Sequence, residues 1–276
     1  MPLTHLLVLS AVQGISEFLP ISSSGHLILV PWLTGWQDQG LMLDVAVHLG
    51  TLLAVMVYFS KDIFGMIFSL FNSLLKNSAN GGKDPELQLF CKLSLATLPV
   101  VIAGLVLNYH FVDIFRSVEV IGWTTLIFGA LLFFSDRISM TVRSLDHITF
   151  RGALVIGLFQ VLALIPGTSR SGITITAARF QGVERQDAAK FSLLLSIPVI
   201  AAAGILKSYD LFLVGESSLI QDVAIVASFS FGFAIVTIAL FMTWLKHAGF
   251  TPFVFYRILL GGVLLCITYW FPELNL

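Results

Sequence analysis

The sequence predicts an all-α polytopic membrane protein with six transmembrane helices and two re-entrant helical hairpins in an inverted-topology repeat. Three observations lead there. Of 276 residues, 57% are hydrophobic and only 11% are charged, whereas a soluble domain carries about 25% charged residues. Six apolar stretches reach the roughly 20 residues that a helical span requires. Two further apolar regions are long enough in total, but each is split near its middle by a proline and a Gly/Ser-rich segment. The net charge of −1 offers no basic field for nucleic acid. Cys91 and Cys266 both lie in apolar stretches and read as small packing residues rather than a disulfide or metal pair.

In chain order, the first broken region covers 3–33. The N-terminus lacks the Lys/Arg stretch of a signal peptide and reads as mature structure. Proline removes a backbone donor and disfavours helix at the residue before it, so helix ends near Leu19, ahead of Pro20. Ser22, Ser23, Ser24 and Gly25 then form a turn into a second short helix carrying His26. A first span follows at 41–59. Residues 62–75 are too few to cross and read as an interfacial amphipathic helix. The polar run from Lys76 to Glu86 is a loop. Spans follow at 88–107 and 118–136. The second broken region, 152–180, is interrupted at Pro166 and Gly167, and the last three spans are 188–206, 222–245 and 252–271. Broken backbone survives at membrane depth only when it is buried in protein or lines a water-filled cavity.

Basic residues set the orientation. Lys61, Lys76, Lys83 and Lys92 flank the interfacial helix. Arg137, Arg143 and Arg151 follow the third span, Arg179, Arg185 and Lys190 follow the second broken region, and Lys246 and His247 follow the fifth span. All four groups are cytoplasmic only if the first broken region dips in from outside and the second from the cytoplasm. Loops 108–117 and 207–221 and both termini are then external. The chain is thus a single membrane domain, 1–276, of two oppositely oriented halves, about 1–140 and 147–276. A shift of 147 residues superposes Gln13 on Gln160, Ser22 on Ser169, Ser24 on Ser171 and Gly25 on Gly172. Inverted repeats of this kind place broken helices together near the midplane.

The two interruptions carry the chemistry. An ionisable group at membrane depth costs roughly 2.5–3.5 kcal/mol, so its presence points to function. Gln13 and Glu17 share a helix face at i and i+4. Ser22, Ser23, Ser24 and Gly25 open a helix whose free N–H groups suit an anion, and His26 in its first turn is a candidate base or nucleophile. In the second segment Thr168, Ser169 and Ser171 supply hydroxyls, Gly172 ends the turn, and Arg170 offers a planar fork for bidentate phosphate binding. Arg170 is the arginine placed midway in a hydrophobic region; the others read as span-end residues. Asp44 and His48 form another i, i+4 pair, either an interfacial polar pair or part of the site wall.

With these residues in view, the chain resembles the bacterial undecaprenyl-diphosphate phosphatases of the bacitracin-resistance type. The motif (E/Q)-G-x-x-E-F-L-P-(I/V)-S-S-(S/T)-G-H is present from Gln13 to His26, and P-G-x-S-R-S-G from Pro166 to Gly172. The similarity extends to Phe191-Ser192 before Pro198 and to Tyr256-Arg257. Gln13 stands where the two-glutamate version of the motif has a second carboxylate. The resemblance implies hydrolysis of a C55 polyprenyl diphosphate to the monophosphate, in recycling of the lipid carrier for cell-wall synthesis. It also implies an active site open to the outer face of the bacterial cytoplasmic membrane and dependence on a divalent cation, Mg²⁺ or Ca²⁺. The partners implied are the lipid substrate and the bilayer, with a homodimer left open.

On this reading Arg170 clamps the terminal phosphate. Ser22, Ser24, Thr168, Ser169 and Ser171, with the turns at Gly25 and Gly172, bind its oxygens. Glu17, with Gln13, holds the cation. The nucleophile is Ser23, His26 or water, with Ser23 attack assisted by His26 the favoured arrangement. The alternative is a polyprenyl-phosphate flippase, which would use the same arginine and hydroxyls but would release no phosphate.

Overall fold

The structure is a computed structural model that describes residues 1–37, 39–76, 84–108, 117–138, 143–214 and 220–270. The first broken region forms α1 (Leu3–Ser16) and α2 (Ser23–Thr34), and the second forms α7 (Phe150–Val161) and α8 (Arg170–Phe180). At about 1.5 Å per residue, α1, the longest of the four, reaches only about 21 Å, short of a hydrocarbon core about 30 Å thick. Among the described residues six helices are long and apolar enough to cross: α3 (Gly40–Tyr58), α5 (Pro85–Asn108), α6 (Val118–Ile138), α9 (Arg185–Val214), α10 (Ile220–Trp244) and α11 (Thr251–Trp270). They match the six spans expected from hydropathy.

Two boundaries differ from expectation. Helix α1 ends at Ser16, and residues 17–21 form a turn. The helix therefore stops earlier than Pro20 alone requires. Helix α9 continues to Val214 through much of the expected 207–221 loop. Lys207 and Asp210 mark polarity, but 207–214 contains neither glycine nor proline to end a helix. The expected loop at 108–117 falls mostly outside the described residues, as do residues 215–219.

Helix α4 (Ser60–Lys76) is the expected amphipathic segment. Phe64, Phe68, Phe71 and Leu74 are exposed along one face. Its polar side is anchored where Lys190 Nζ lies 2.5 Å from Asp62 Oδ1, at the start of α9.

The packing has a crossed pattern. Helix α1 lies on α10, while α7 lies on α5; α6 pairs with α11, and α3 packs most extensively on α10 and then on α9. Glycines permit the two close crossings. A Cβ on Gly14 would stand 2.6 Å from Phe233 Cβ, and one on Gly157 would stand 2.4 Å from the Ala96 carbonyl oxygen. The largest apolar core gathers Phe18 from the first turn, Ala54 and Val55 of α3, Leu193–Leu195 of α9, and Phe241 and Phe250. At one end of this core Asp136 receives Arg179 Nε at 3.2 Å and Arg185 Nε at 2.8 Å. The pair satisfies a carboxylate that would otherwise be buried alone.

Candidate active site

Both polar turns use the same local device. Ser22 (φ 76°) and Ser169 (φ 70°) are the non-glycine residues with positive φ among the described residues. Such backbone costs about 1–3 kcal/mol and persists only where surroundings impose it. Each serine then caps the next helix. Ser22 Oγ accepts from Gly25 N at 3.4 Å, and Ser169 Oγ accepts from Gly172 N at 3.1 Å. Each hydroxyl also meets the hydroxyl two residues on, Ser24 at 3.4 Å and Ser171 at 3.2 Å. The 147-residue spacing seen in the sequence is therefore a shared geometry.

Glu17 sits just beyond the end of α1, and its carboxylate is the meeting point of both turns. Its Oε2 accepts from Ser23 Oγ at 2.6 Å and from Gln13 Nε2 at 3.1 Å. Its Oε1 faces Arg170 Nη2 at 3.4 Å. Arg170 also donates from Nη1 to the Ser192 carbonyl of α9 at 3.0 Å, which aims the guanidinium across the interface. Its Nε is buried without a hydrogen-bond partner, and so is Gln13 Oε1. Buried polar atoms in native proteins nearly always find partners, and of these two residues Arg170 borders the cavity described next, where a ligand could reach it.

Glu17, Ser22, Ser23, Ser24, Ser169 and Arg170 line one cavity of about 190 Å³, room for about six water molecules at roughly 30 Å³ each. Asp44 and His48 complete its polar wall, so the α3 pair belongs to the site rather than to a membrane interface. His48 Nδ1 lies 2.7 Å from the Asp44 carbonyl. A carbonyl can only accept, so Nδ1 carries a proton and donates. The ring's Nε2 stands 3.9 Å from Glu17 Oε2. Gln39 Nε2 holds Asp44 Oδ1 at 2.8 Å.

The remaining predicted residues do not line the cavity. His26 turns away from Ser23: its Nδ1 meets the Ser22 carbonyl at 2.6 Å and its Nε2 meets Tyr256 Oη of α11 at 2.5 Å. The expected Ser23–His26 contact is therefore replaced by Ser23–Glu17. Ser171 Oγ donates to the Leu19 carbonyl at 2.8 Å and ties one turn to the other. Thr168 is fully buried and its hydroxyl has no partner. Gly25 and Gly172 serve the caps described above.

Arg257 is the residue that sequence reasoning missed. It lies seven residues into α11, fully buried, and is not a span-end arginine. It donates to Thr125 O at 3.1 Å, Pro20 O at 3.3 Å, Gly167 O at 3.0 Å and Thr168 O at 2.9 Å. One guanidinium thus holds the backbone of both turns. The signal was present, because an arginine inside an apolar span carries the same cost as Arg170. Gly167 (φ +88°) packs so closely on α6 that a Cβ would stand 2.1 Å from Thr124 Oγ1.

The family model of the bacitracin resistance protein BacA matches residues 6–263. An undecaprenyl-diphosphatase of Hahella chejuensis is 50% identical over 265 residues, covering 96% of this chain and 98% of its own length. The undecaprenyl-diphosphatase of Ruegeria pomeroyi is 47% identical over 271 residues, covering 98% of this chain and all of its own length. That of Campylobacter curvus is 46% identical over 267 residues, covering 97% and 99% respectively. With nearly the whole chain matched and both polar turns gathered at one carboxylate, this multi-pass membrane protein belongs to the bacitracin resistance protein BacA family.

Proposed function

We propose that the protein is a membrane phosphatase that hydrolyses undecaprenyl diphosphate to undecaprenyl phosphate and inorganic phosphate. This activity would recycle the lipid carrier for peptidoglycan synthesis and confer bacitracin resistance. The observation that carries the reading is the Glu17 carboxylate, which joins Ser23 of the first turn to Arg170 of the second inside a polar cavity. Arg170 binds the terminal phosphate, and the hydroxyls of Ser22, Ser24 and Ser169 donate to its oxygens. Ser23 Oγ attacks the terminal phosphorus while its proton passes to Glu17 Oε2. The bridging P–O bond breaks and prenyl monophosphate leaves. Water then attacks the phosphoserine, releasing phosphate and restoring the Ser23 hydroxyl. Positioning and electrostatic stabilisation supply most of the catalysis in such transfers. His26, held between Ser22 and Tyr256, fixes the start of α2 and so the position of Ser23.

A divalent cation fits the donor set. Glu17 lines the cavity and Gln13, buried beside it, carries an unpartnered amide oxygen Oε1, and Mg²⁺ commonly uses one or two protein oxygens with substrate oxygens and water. Bound there by Glu17 and Gln13, it would neutralise charge on the diphosphate.

The halves 1–140 and 147–276 form an inverted repeat whose hairpins enter from opposite leaflets. The matched strained serines and the crossed helix pairing support this. With the basic segments cytoplasmic, the protein sits in the inner membrane and the site opens outward.

Phosphate release from a prenyl diphosphate by purified protein tests the activity, and Ser23→Ala tests the mechanism. We expect the variant to lose about 10³-fold or more in kcat, and rapid quench of the native enzyme to trap phosphate on Ser23. Wild-type turnover by the variant would overturn the assignment. Release of no phosphate by the native protein would overturn the function and favour the flippase.

A further inference from the structure

We infer that the polyprenyl tail leaves the phosphate cavity across the Val199–Gly204 face of α9, with Ala203 and Gly204 forming the sill of a portal into the bilayer. This rests on the phosphatase reading and extends it to the part of the substrate that the chemistry does not touch. The cavity is two-sided. Its polar wall comes from the two turns and α3, while its other wall consists of Val45, Ala163, Val199, Ile200, Ala203 and Gly204. On α9 the four residues fall at helical spacing on one face. Ala203 is exposed and Gly204 half-buried, so this wall ends at the outside of the protein. Ala163 faces it from the turn at 162–164, between α7 and the site. The apolar side of the cavity therefore reaches the protein surface at Ala203 and Gly204.

Gly204 is the informative residue. Glycine within a helix is unfavourable relative to alanine, and glycines at helix crossings repay that cost by close packing. A Cβ on Gly50 would stand 2.2 Å from the Ala227 carbonyl, and one on Gly157 would stand 2.4 Å from that of Ala96. A Cβ on Gly204 would meet nothing within 4 Å. Gly232 and Gly262 are equally open, but neither borders the cavity. At Gly204 the missing side chain leaves a gap in the cavity wall rather than a helix contact. An isoprenoid chain fits it, because it must remain attached to the diphosphate while its remaining units lie in lipid. A headgroup that enters alone needs such a gap.

The test compares C5 and C15 prenyl diphosphates on G204L and A203L. A Cβ at 204 meets no atom within 4 Å, so a side chain there starts into open space. We expect kcat/KM for the C15 substrate to fall at least tenfold more than for the C5 substrate, through KM. Equal falls for both, or no fall, would overturn the portal. A native enzyme inert on both substrates would instead overturn the phosphatase reading. A binding measurement keeps the inference testable if the bulky variants fail to fold. In a C91A/C266A background, A203C and G204C are labelled with a maleimide. A non-hydrolysable farnesyl diphosphate analogue should slow labelling, and inorganic pyrophosphate should not. Equal protection by both, or protection by neither, would overturn the portal.

Discussion

Arg257→Met removes the guanidinium that joins the two turns while keeping a long side chain in its place. The magnitude follows from the acceptors it leaves. Thr125 O belongs to α6, and Gly167 O also accepts from Thr125 Oγ1 at 3.3 Å. Pro20 O and Thr168 O have Arg257 as their hydrogen-bond partner at 3.3 and 2.9 Å. Each buried acceptor left unpaired costs about 1–3 kcal/mol, so the variant should lose about 2–6 kcal/mol of stability. At roughly 2–4 °C per kcal/mol for a chain of this size class, the unfolding midpoint falls by about 5 °C or more. The effect on rate should be larger. Glu17 lies three residues before Pro20 and Arg170 two residues after Thr168, so slack in either turn moves a reacting group. Misplacement of about 1 Å can cost about 100-fold. Tryptophan fluorescence on heating and phosphate release at a temperature well below the midpoint read the two effects separately. An Arg257→Met protein with the native midpoint and native turnover would refute the claim that this side chain holds the site together.

Gly167→Ala places a Cβ against Thr124 Oγ1 and Ile121 O in a backbone with φ +88°; it should destabilise by more than about 1 kcal/mol, read as a lower midpoint in thermal unfolding. Tyr256→Phe deletes the partner of His26 Nε2. Turnover should fall less than about tenfold, since one neutral hydrogen bond contributes about 0.5–1.5 kcal/mol; a loss like that of Ser23→Ala would return His26 to the chemistry. Glu17→Gln leaves Arg170 without its carboxylate; breaking such a buried pair costs about 3–5 kcal/mol, and phosphate release should cease while Arg170→Ala is equally inactive. Chelation should remove activity and Mg²⁺ or Ca²⁺ restore it; full activity in excess chelator would remove Glu17 and Gln13 as cation ligands.

Most of the architecture was legible in composition and spacing. A membrane span must be long and apolar, so six helices could be located within a few residues. A proline amid hydroxyls at membrane depth has few structural solutions, so both turns could be located as well. The end of α9 was not legible, because Lys207 and Asp210 report where polarity rises rather than where hydrogen bonding stops. Within the site, Glu17, Ser23 and Arg170 could be named, but the pairing of Ser23 with Glu17 could not be read. Ser23 begins α2, where side chains lean back toward the preceding turn, and this brings its hydroxyl to Glu17 rather than to His26.

Composition and spacing alone establish that the chain is built for lipid, where it breaks, and which polar groups it carries there. Each of these follows from the cost of moving peptide and charge out of water, which is a local property of the chain. Only the tertiary structure decided that Arg257 ties Pro20 to Thr168 and that Asp44 and His48 face Glu17. It also decided that Gly204 leaves a gap rather than a contact. Those facts depend on which separate helices and turns approach one another in space, and no local pattern encodes that.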